Sequence, residues 1–290
     1  MTIYYHYLLS LFLCMNRSSQ PSLAPALTQR LANVPWWLLV LILGGLFAVL
    51  QILTNERSTT IFTAISRGVV VTLRTTIIAY VAALVIGLTI GLARTSSNKL
   101  IYNLASFYVE VVRGIPMLVL LLYIAFVAVP LAMEGLNRLG EATGSAWLSS
   151  LTPRNFPNEW RVVLGLGIAY GAFESENFRA GIQSIERGQF EASRALGMSY
   201  WQTMRFVVLP QAIRRIMPTL GNDFISMLKD SSLVSVLGVE DITQITKLYA
   251  SSTFLFFQSY SILAFMYLTM TVLLSRAVRW MELRLASGRR

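Results

Sequence analysis

The run EASRALGMSYWQTMRFVVLP, from Glu191 to Pro210, is a charged, structured segment set between two apolar stretches, and its reading decides the fold. Gln189 to Leu196 are good helix formers, and Gly197 stands where a left-handed C-terminal cap would sit. Ser199 and Gln202 have the spacing of a capping box, which starts a second helix running to Leu209, where Pro210 interrupts the hydrogen-bond ladder. The segment is therefore expected to form a compact helix pair. In its first helix Ala192, Ala195 and Leu196 share a face of mostly small side chains that lets another surface approach closely. Glu191 and Arg194 lie off that face as an i, i+3 ion pair. An ordinary solvated amphipathic turn would have the same periodicity.

The string itself says more than its period. Glu191-Ala192-Ser193, then Gly197, then Val207-Val208-Leu209-Pro210 resembles the Glu-Ala-Ala signature of permease subunits of binding-protein-dependent ABC importers. Ser193 stands for the second Ala of that signature and Val207 for its usual Ile, both conservative in size. In that family the loop docks on the ATPase subunit. The resemblance thus implies an ATPase-coupling role for Glu191, Ala192, Ser193, Gly197, Leu209 and Pro210.

Composition agrees with a membrane protein. Of 290 residues 55% are apolar and only 13% charged. Cys14 is the one cysteine and His6 the one histidine, so no disulfide framework, metal cluster or His-dependent triad can be built. Six apolar stretches have roughly the 20 residues that cross a hydrocarbon core. They lie near Trp36 to Leu53, Gly68 to Ala93, Ile115 to Met133, Val162 to Arg179, Ile213 to Leu237 and Phe254 to Val278. The fourth carries Glu174, Glu176 and Arg179 and is kept because the resemblance needs a span entering the coupling loop from outside. A net charge of +10 would suggest nucleic acid in a soluble chain, but here it reports orientation. Sixteen basic residues fall on the side of the termini and the coupling loop against six on the other. That places the loop and both termini in the cytoplasm, by the positive-inside rule.

Residues 1–34 read as an N-terminal cytoplasmic tail, 35–285 as the permease domain with its coupling loop near 181–212, and 286–290 as a C-terminal tail. Gly87 and Gly91 form a small-xxx-small pair suited to close helix contact. Arg74, near the outer end of the second span, either snorkels to the interface or stands at an outer mouth. In YVEVVRGIP, Tyr108 to Pro116, Gly114 and Pro116 break a helix at the membrane surface, and Glu110 and Arg113 are spaced to pair. Glu134 to Trp160 reads as an outward loop with one short helix, either a contact for a substrate-binding protein or a variable surface.

The fifth span is the most polar. Asp223, Ser226 and Asp230 share a face at i, i+3 and i+7, with Asn222 and Lys229 beside them. Ionisable groups cost several kcal/mol in lipid, so this stripe faces the bundle interior or water, as a solute pathway or gate or as a structural ion pair. Lys229 and Asp230 together could answer the two ends of an amino acid.

YVEVVRGIP, the AYGAFESENFRAG string with its Glu176 and Arg179, Gly188-Gln189, and LKDSSL (228–233) are similar to polar amino acid permeases within the same superfamily. The resemblance covers about Gly68 to Leu285. It implies an all-α polytopic membrane protein with about six transmembrane helices in the ABC type I importer permease fold, located in the bacterial plasma membrane. It also implies an ABC ATPase subunit, an external substrate-binding protein and a second permease copy or paralogue as partners. No Gly-x-x-x-x-Gly-Lys-Ser/Thr loop occurs in the chain, so ATP and magnesium are expected on the partner ATPase and no cofactor in this chain. Two alternatives stay open: an ABC importer permease for another small solute, and an ion-coupled secondary transporter using the intramembrane Asp and Lys residues.

Overall fold

A computed structural model describes residues 36–287; His6, Cys14, Arg17, Arg30, Arg289 and Arg290 lie outside the described residues, as do both expected tails in large part. The chain divides into two compact units between Thr54 and Asn55. The described part of the first is a single helix, α1 (Trp36–Thr54). Its apolar residues run unbroken to Leu50, whose carbonyl accepts the Thr54 hydroxyl at 2.7 Å.

The second unit holds eight longer helices, and no strand occurs among the described residues. They are α2 (Glu56–Ala93), α3 (Lys99–Gly114), α4 (Met117–Thr143), α5 (Asn158–Gln183), α6 (Arg187–Ala195), α7 (Leu209–Asp230), α8 (Ile242–Thr253) and α9 (Phe256–Ser287). Local chemistry sets most of their ends. Asn55, Asn98 and Asp241 each accept a backbone N–H at the start of α2, α3 and α8. The helix α3 stops at Gly114, after which Ile115 turns extended before Pro116, as expected.

Helices cover all six apolar stretches, with shifted boundaries. Glu56, not Gly68, opens α2, because the Asn55 cap and an acidic first turn extend it outward. Its 38 residues reach about 57 Å, beyond a core of about 30 Å. The helix α4 runs ten residues past Met133, supported by a Glu134–Arg138 pair at 2.6 Å, and ends at Gly144 with φ +70°. The outward segment is therefore a loop only from there to α5, and it carries the one short helix expected, Ala146–Ser149, with a single 3-10 turn at Pro153–Asn155. The helix α8 was not foreseen, since ITQITKLYASST has neither the length nor the apolarity of a span. By length and composition α2, α4 and α9 qualify as membrane-crossing. The charges of α5 and α7 keep them off that measure, and these two helices carry the polar site.

A π turn interrupts each of two helical runs, at Ile124–Ala128 in α4 and at Met204–Val208 just before α7. A proline follows both, Pro130 and Pro210. Proline lacks an N–H and its ring clashes with the carbonyl four residues back; the wider π register, in which Leu209 N–H reaches the Met204 carbonyl, moves that carbonyl aside. This corrects the expectation that the helix stops at Leu209: it continues through Pro210.

The unit is built around the contact of α2 with α5. A Cβ at Gly87 would lie 2.5 Å from Glu174 Cβ, and one at Gly91 would lie 2.9 Å from Phe178 Cβ. The two backbones therefore meet as the glycine spacing suggested. Ala79, Tyr80 and Ala83 of α2 pack with Leu121 and Ala125 of α4, Leu166 and Tyr170 of α5, and Met227 of α7. Inside a bilayer such packing, rather than water exclusion, holds helices together.

Candidate functional site

Two regions carry the chemistry. The first is the loop from α6 to α7. Its turn is a Schellman cap: Gly197 has φ +75°, its N–H reaches the Arg194 carbonyl at 2.9 Å, and Met198 N–H reaches the Ser193 carbonyl at 3.1 Å. Ser199 and Gln202 exchange both bonds of the capping box, at 3.3 and 2.8 Å. Ser193 is buried and bonds back to the Gln189 carbonyl, whereas Glu191, Ala192 and Ala195 are exposed. Glu191 and Arg194 form no salt bridge among the described residues, because in water an i, i+3 pair gains too little to hold two long side chains. Under the loop, Ile182, Ile185, Met204, Val208 and Ala212 form a small core that includes Leu92 and Leu209, while Pro210 stays exposed. The Arg215 guanidinium donates to the Ser184 carbonyl and ties α7 to the end of α5. Leu196 is 81% exposed and Trp201 70%, with Tyr200 and Phe206 also outside. Exposed large apolar side chains are what a docking face requires.

The second region is a cavity of about 460 Å³ between α3, α4, α5 and α7, within the range of small-molecule sites. Asp223, Ser226 and Asp230 line it from α7, Tyr170, Phe173, Glu176 and Asn177 from α5, and Arg113 from the end of α3. Asn222 and Lys229, next to these in sequence, are exposed and off the cavity, since neighbours on a helix point about 100° apart. Lys229 makes no salt bridge with Asp230 among the described residues.

The cavity walls differ in charge. Glu176 is held by Arg94 at 2.6 Å and by Arg179 at 2.7 Å, and Arg113 stands 3.6 Å away. Three guanidinium groups thus face one carboxylate, and Arg113 also lies over the Phe173 ring, 5.4 Å from its centre. Arg113 pairs here rather than with Glu110, which is exposed. Arg179 braces Glu176 from outside the lining. Among the described residues the two α7 carboxylates have neutral partners: Asp230 accepts from the Tyr170 hydroxyl at 2.8 Å, and Asp223 from the Asn177 amide at 2.6 Å. The seven helical steps from Asp223 to Asp230 set these carboxylates about 10 Å apart along α7.

Some of the site was not anticipated. Tyr170 and Asn177 enter it from α5 and Arg113 from α3, while Tyr80 of α2 stands behind the cavity, bonded to Glu174 and the Leu220 carbonyl. Tyr170 shares a face of α5 with Glu174 and Asn177 at i, i+4 and i+7, a polar period that could have marked them. Arg74 bridges Glu159 of α5 at 2.5 Å, with both side chains exposed, and takes no part in the cavity.

Residues 83–287 match the family of binding-protein-dependent transport system inner membrane components. The chain is 35% identical over 214 residues to the probable glutamine ABC transporter permease protein GlnM of Bacillus subtilis (strain 168), covering 74% of this chain and 89% of that protein. It is 34% identical over 218 residues to the glutamine transport system permease protein GlnP of Escherichia coli (strain K12), covering 75% and 91%. Among solved structures, the crystal structure of an amino acid ABC transporter with histidines is 38% identical, with a TM-score of 0.63 over 80% of this chain and 97% of that one.

Proposed function

Because the chain belongs to the family of binding-protein-dependent transport system inner membrane components, we propose that it is the membrane subunit of an ATP-driven importer of polar L-amino acids. The observation that carries this reading is the cavity, with two carboxylates on one wall that no cation pairs among the described residues and Arg113 on the other, where Arg94 and Arg179 already hold Glu176. An amino acid brings an ammonium and a carboxylate. Asp230 and Asp223 answer the first and Arg113 the second. The glutamine permeases among its relatives support the same solute class. The loop carrying Glu191, Ala192, Ser193 and Gly197, with Leu209 and Pro210 behind it, docks on a separate ATPase that binds ATP and magnesium. An external binding protein delivers the solute, and a second permease copy or paralogue completes the pathway. Closure of the ATPase moves the loop, and the loop tilts α5 and α7 about the α2 contact, opening the cavity first outward and then inward.

The test is uptake by the chain with its partner subunits in vesicles, against a panel of labelled amino acids. At least one is expected to accumulate with ATP, and Asp230→Asn with Asp223→Asn is expected to lower its uptake about tenfold or more while leaving assembly with the ATPase intact. Normal uptake by the assembled double variant would remove the two carboxylates from the pathway.

Orientation has its own test. In a Cys14→Ser background, single cysteines at Ser145 and Ser199 are expected to react with an impermeant thiol reagent from opposite faces, Ser145 from outside intact cells and Ser199 only from the cytoplasm. Labelling of Ser199 from outside would reverse the topology.

A further inference from the structure

Glu174 is wholly buried, 0% exposed, and among the described residues no cation bonds either of its oxygens. Its surroundings can be settled by counting protons. The Tyr80 hydroxyl has one hydrogen and two oxygen neighbours: the Leu220 carbonyl at 2.5 Å and Glu174 Oε1 at 3.0 Å. A carbonyl only accepts, so the shorter contact takes the tyrosine proton. Two oxygens 3.0 Å apart then need a second proton between them, and only Glu174 can bring it. The other carboxyl oxygen, Oε2, accepts from Asn177 Nδ2 at 3.0 Å, and the same amide nitrogen donates to Asp223 Oδ2 at 2.6 Å.

We infer that Glu174 is a neutral carboxylic acid, donating to Tyr80, and that through Asn177 it positions Asp223 on the cavity wall. The chain of donors then runs in one direction without conflict: Glu174 to Tyr80 to the Leu220 carbonyl on one side, and Asn177 to both Glu174 and Asp223 on the other. The packing leaves an ionised form the Asn177 amide and, among the described residues, no cation. On the α2 side Gly87 brings the backbone so close that a Cβ there would touch Glu174 Cβ, and the side chain as a whole is closed off from solvent. From α7 the facing groups are Asp223 and the Leu220 carbonyl, both acceptors. On α5 itself Tyr170 is engaged with Asp230, and Glu176 takes up Arg94 and Arg179. An ionised carboxylate in such a place costs far more than a neutral one that is hydrogen-bonded at both oxygens.

The positioning role rests on the cavity being the solute's passage; the protonation state does not. Infrared difference spectra between the wild-type transporter, complete with its partner subunits, and its Glu174→Gln variant test the protonation directly. The wild type is expected to show the carbonyl stretch of a protonated carboxylic acid at neutral pH, lost in the variant. Carboxylate bands in its place would overturn the inference, whether or not any amino acid is transported. Uptake kinetics test the positioning. Glutamine can donate to Tyr80 and accept from Asn177, so Glu174→Gln is expected to keep KM within about twofold. Glu174→Leu frees the Asn177 amide and is expected to raise KM about tenfold, with a smaller change in kcat. An assembled leucine variant with an unchanged KM would refute the positioning role, and so would a glutamine variant as impaired as the leucine one.

Discussion

Glu176→Ala is expected to destabilise the second unit by about 3–5 kcal/mol, the range for removing one partner of a buried ion pair. Arg94 explains the size of the effect. Its side chain is 8% exposed, and among the described residues its Nε has no partner and Glu176 is the group that compensates its charge. Alanine would leave that guanidinium buried beside those of Arg113 and Arg179, three like charges without an anion. The loss should appear as a large fall in the melting temperature of the purified protein and a low yield of complex with the ATPase. Pairing it with Arg94→Leu should recover much of the loss, since replacing both members of a buried pair by apolar groups is tolerated far better than breaking it. A Glu176→Ala protein that melts with the wild type would show that the cluster is solvated and contributes nothing to packing.

Gly197→Val should uncouple transport while leaving insertion in the membrane intact. Nothing lies within 4 Å of a Cβ built at Gly197, so no clash is involved; the cost comes from the backbone at φ +75°. A left-handed conformation costs an L-residue about 1–2 kcal/mol, more for a β-branched one, which shifts the population of the native turn about 5–30-fold. The turn is what aims Leu196 and Trp201 outward, so losing it should lower uptake by a similar factor at unchanged protein level. Gly197→Asn, a residue that tolerates this region, should fall between valine and wild type. Equal uptake by all three would separate the turn from coupling.

These two sites differ in how far the sequence alone could reach them. The Gly197 turn was legible because cap and box are local: every bond joins residues within five positions of one another. Its extension through Pro210 was missed because a π turn leaves no composition signal. The six apolar stretches were legible from hydropathy, and the Gly87–Gly91 contact from small-residue spacing. The cavity was legible only in part. The period of α7 brought out Asp223, Ser226 and Asp230, yet which of their neighbours share the cavity depends on where α5 lies. The partners of Glu174 and Glu176, namely Tyr80, Arg94 and Arg113, are 63 to 94 positions away in the chain. Nothing in a linear period announces pairs at that separation. Helix α8 was missed because it is short and polar, and a search for spans passes over it, whereas only the end of α3 was legible, from Gly114 and Pro116.

The π turn at Met204–Val208 also bears on how the chain can change length. It holds one residue more than an α-helical turn, so deleting a residue there would keep the downstream face where it is now, while bringing the Pro210 ring against the carbonyl four residues back. A deletion or insertion between Pro210 and Asp223 has no such slack. It would rotate Asp223 and Asp230 by about 100° and carry them off the cavity wall. Along the first three turns of α7 the number of residues is therefore fixed even where an exposed side chain can change, whereas the five residues just before it can lose one and keep that register.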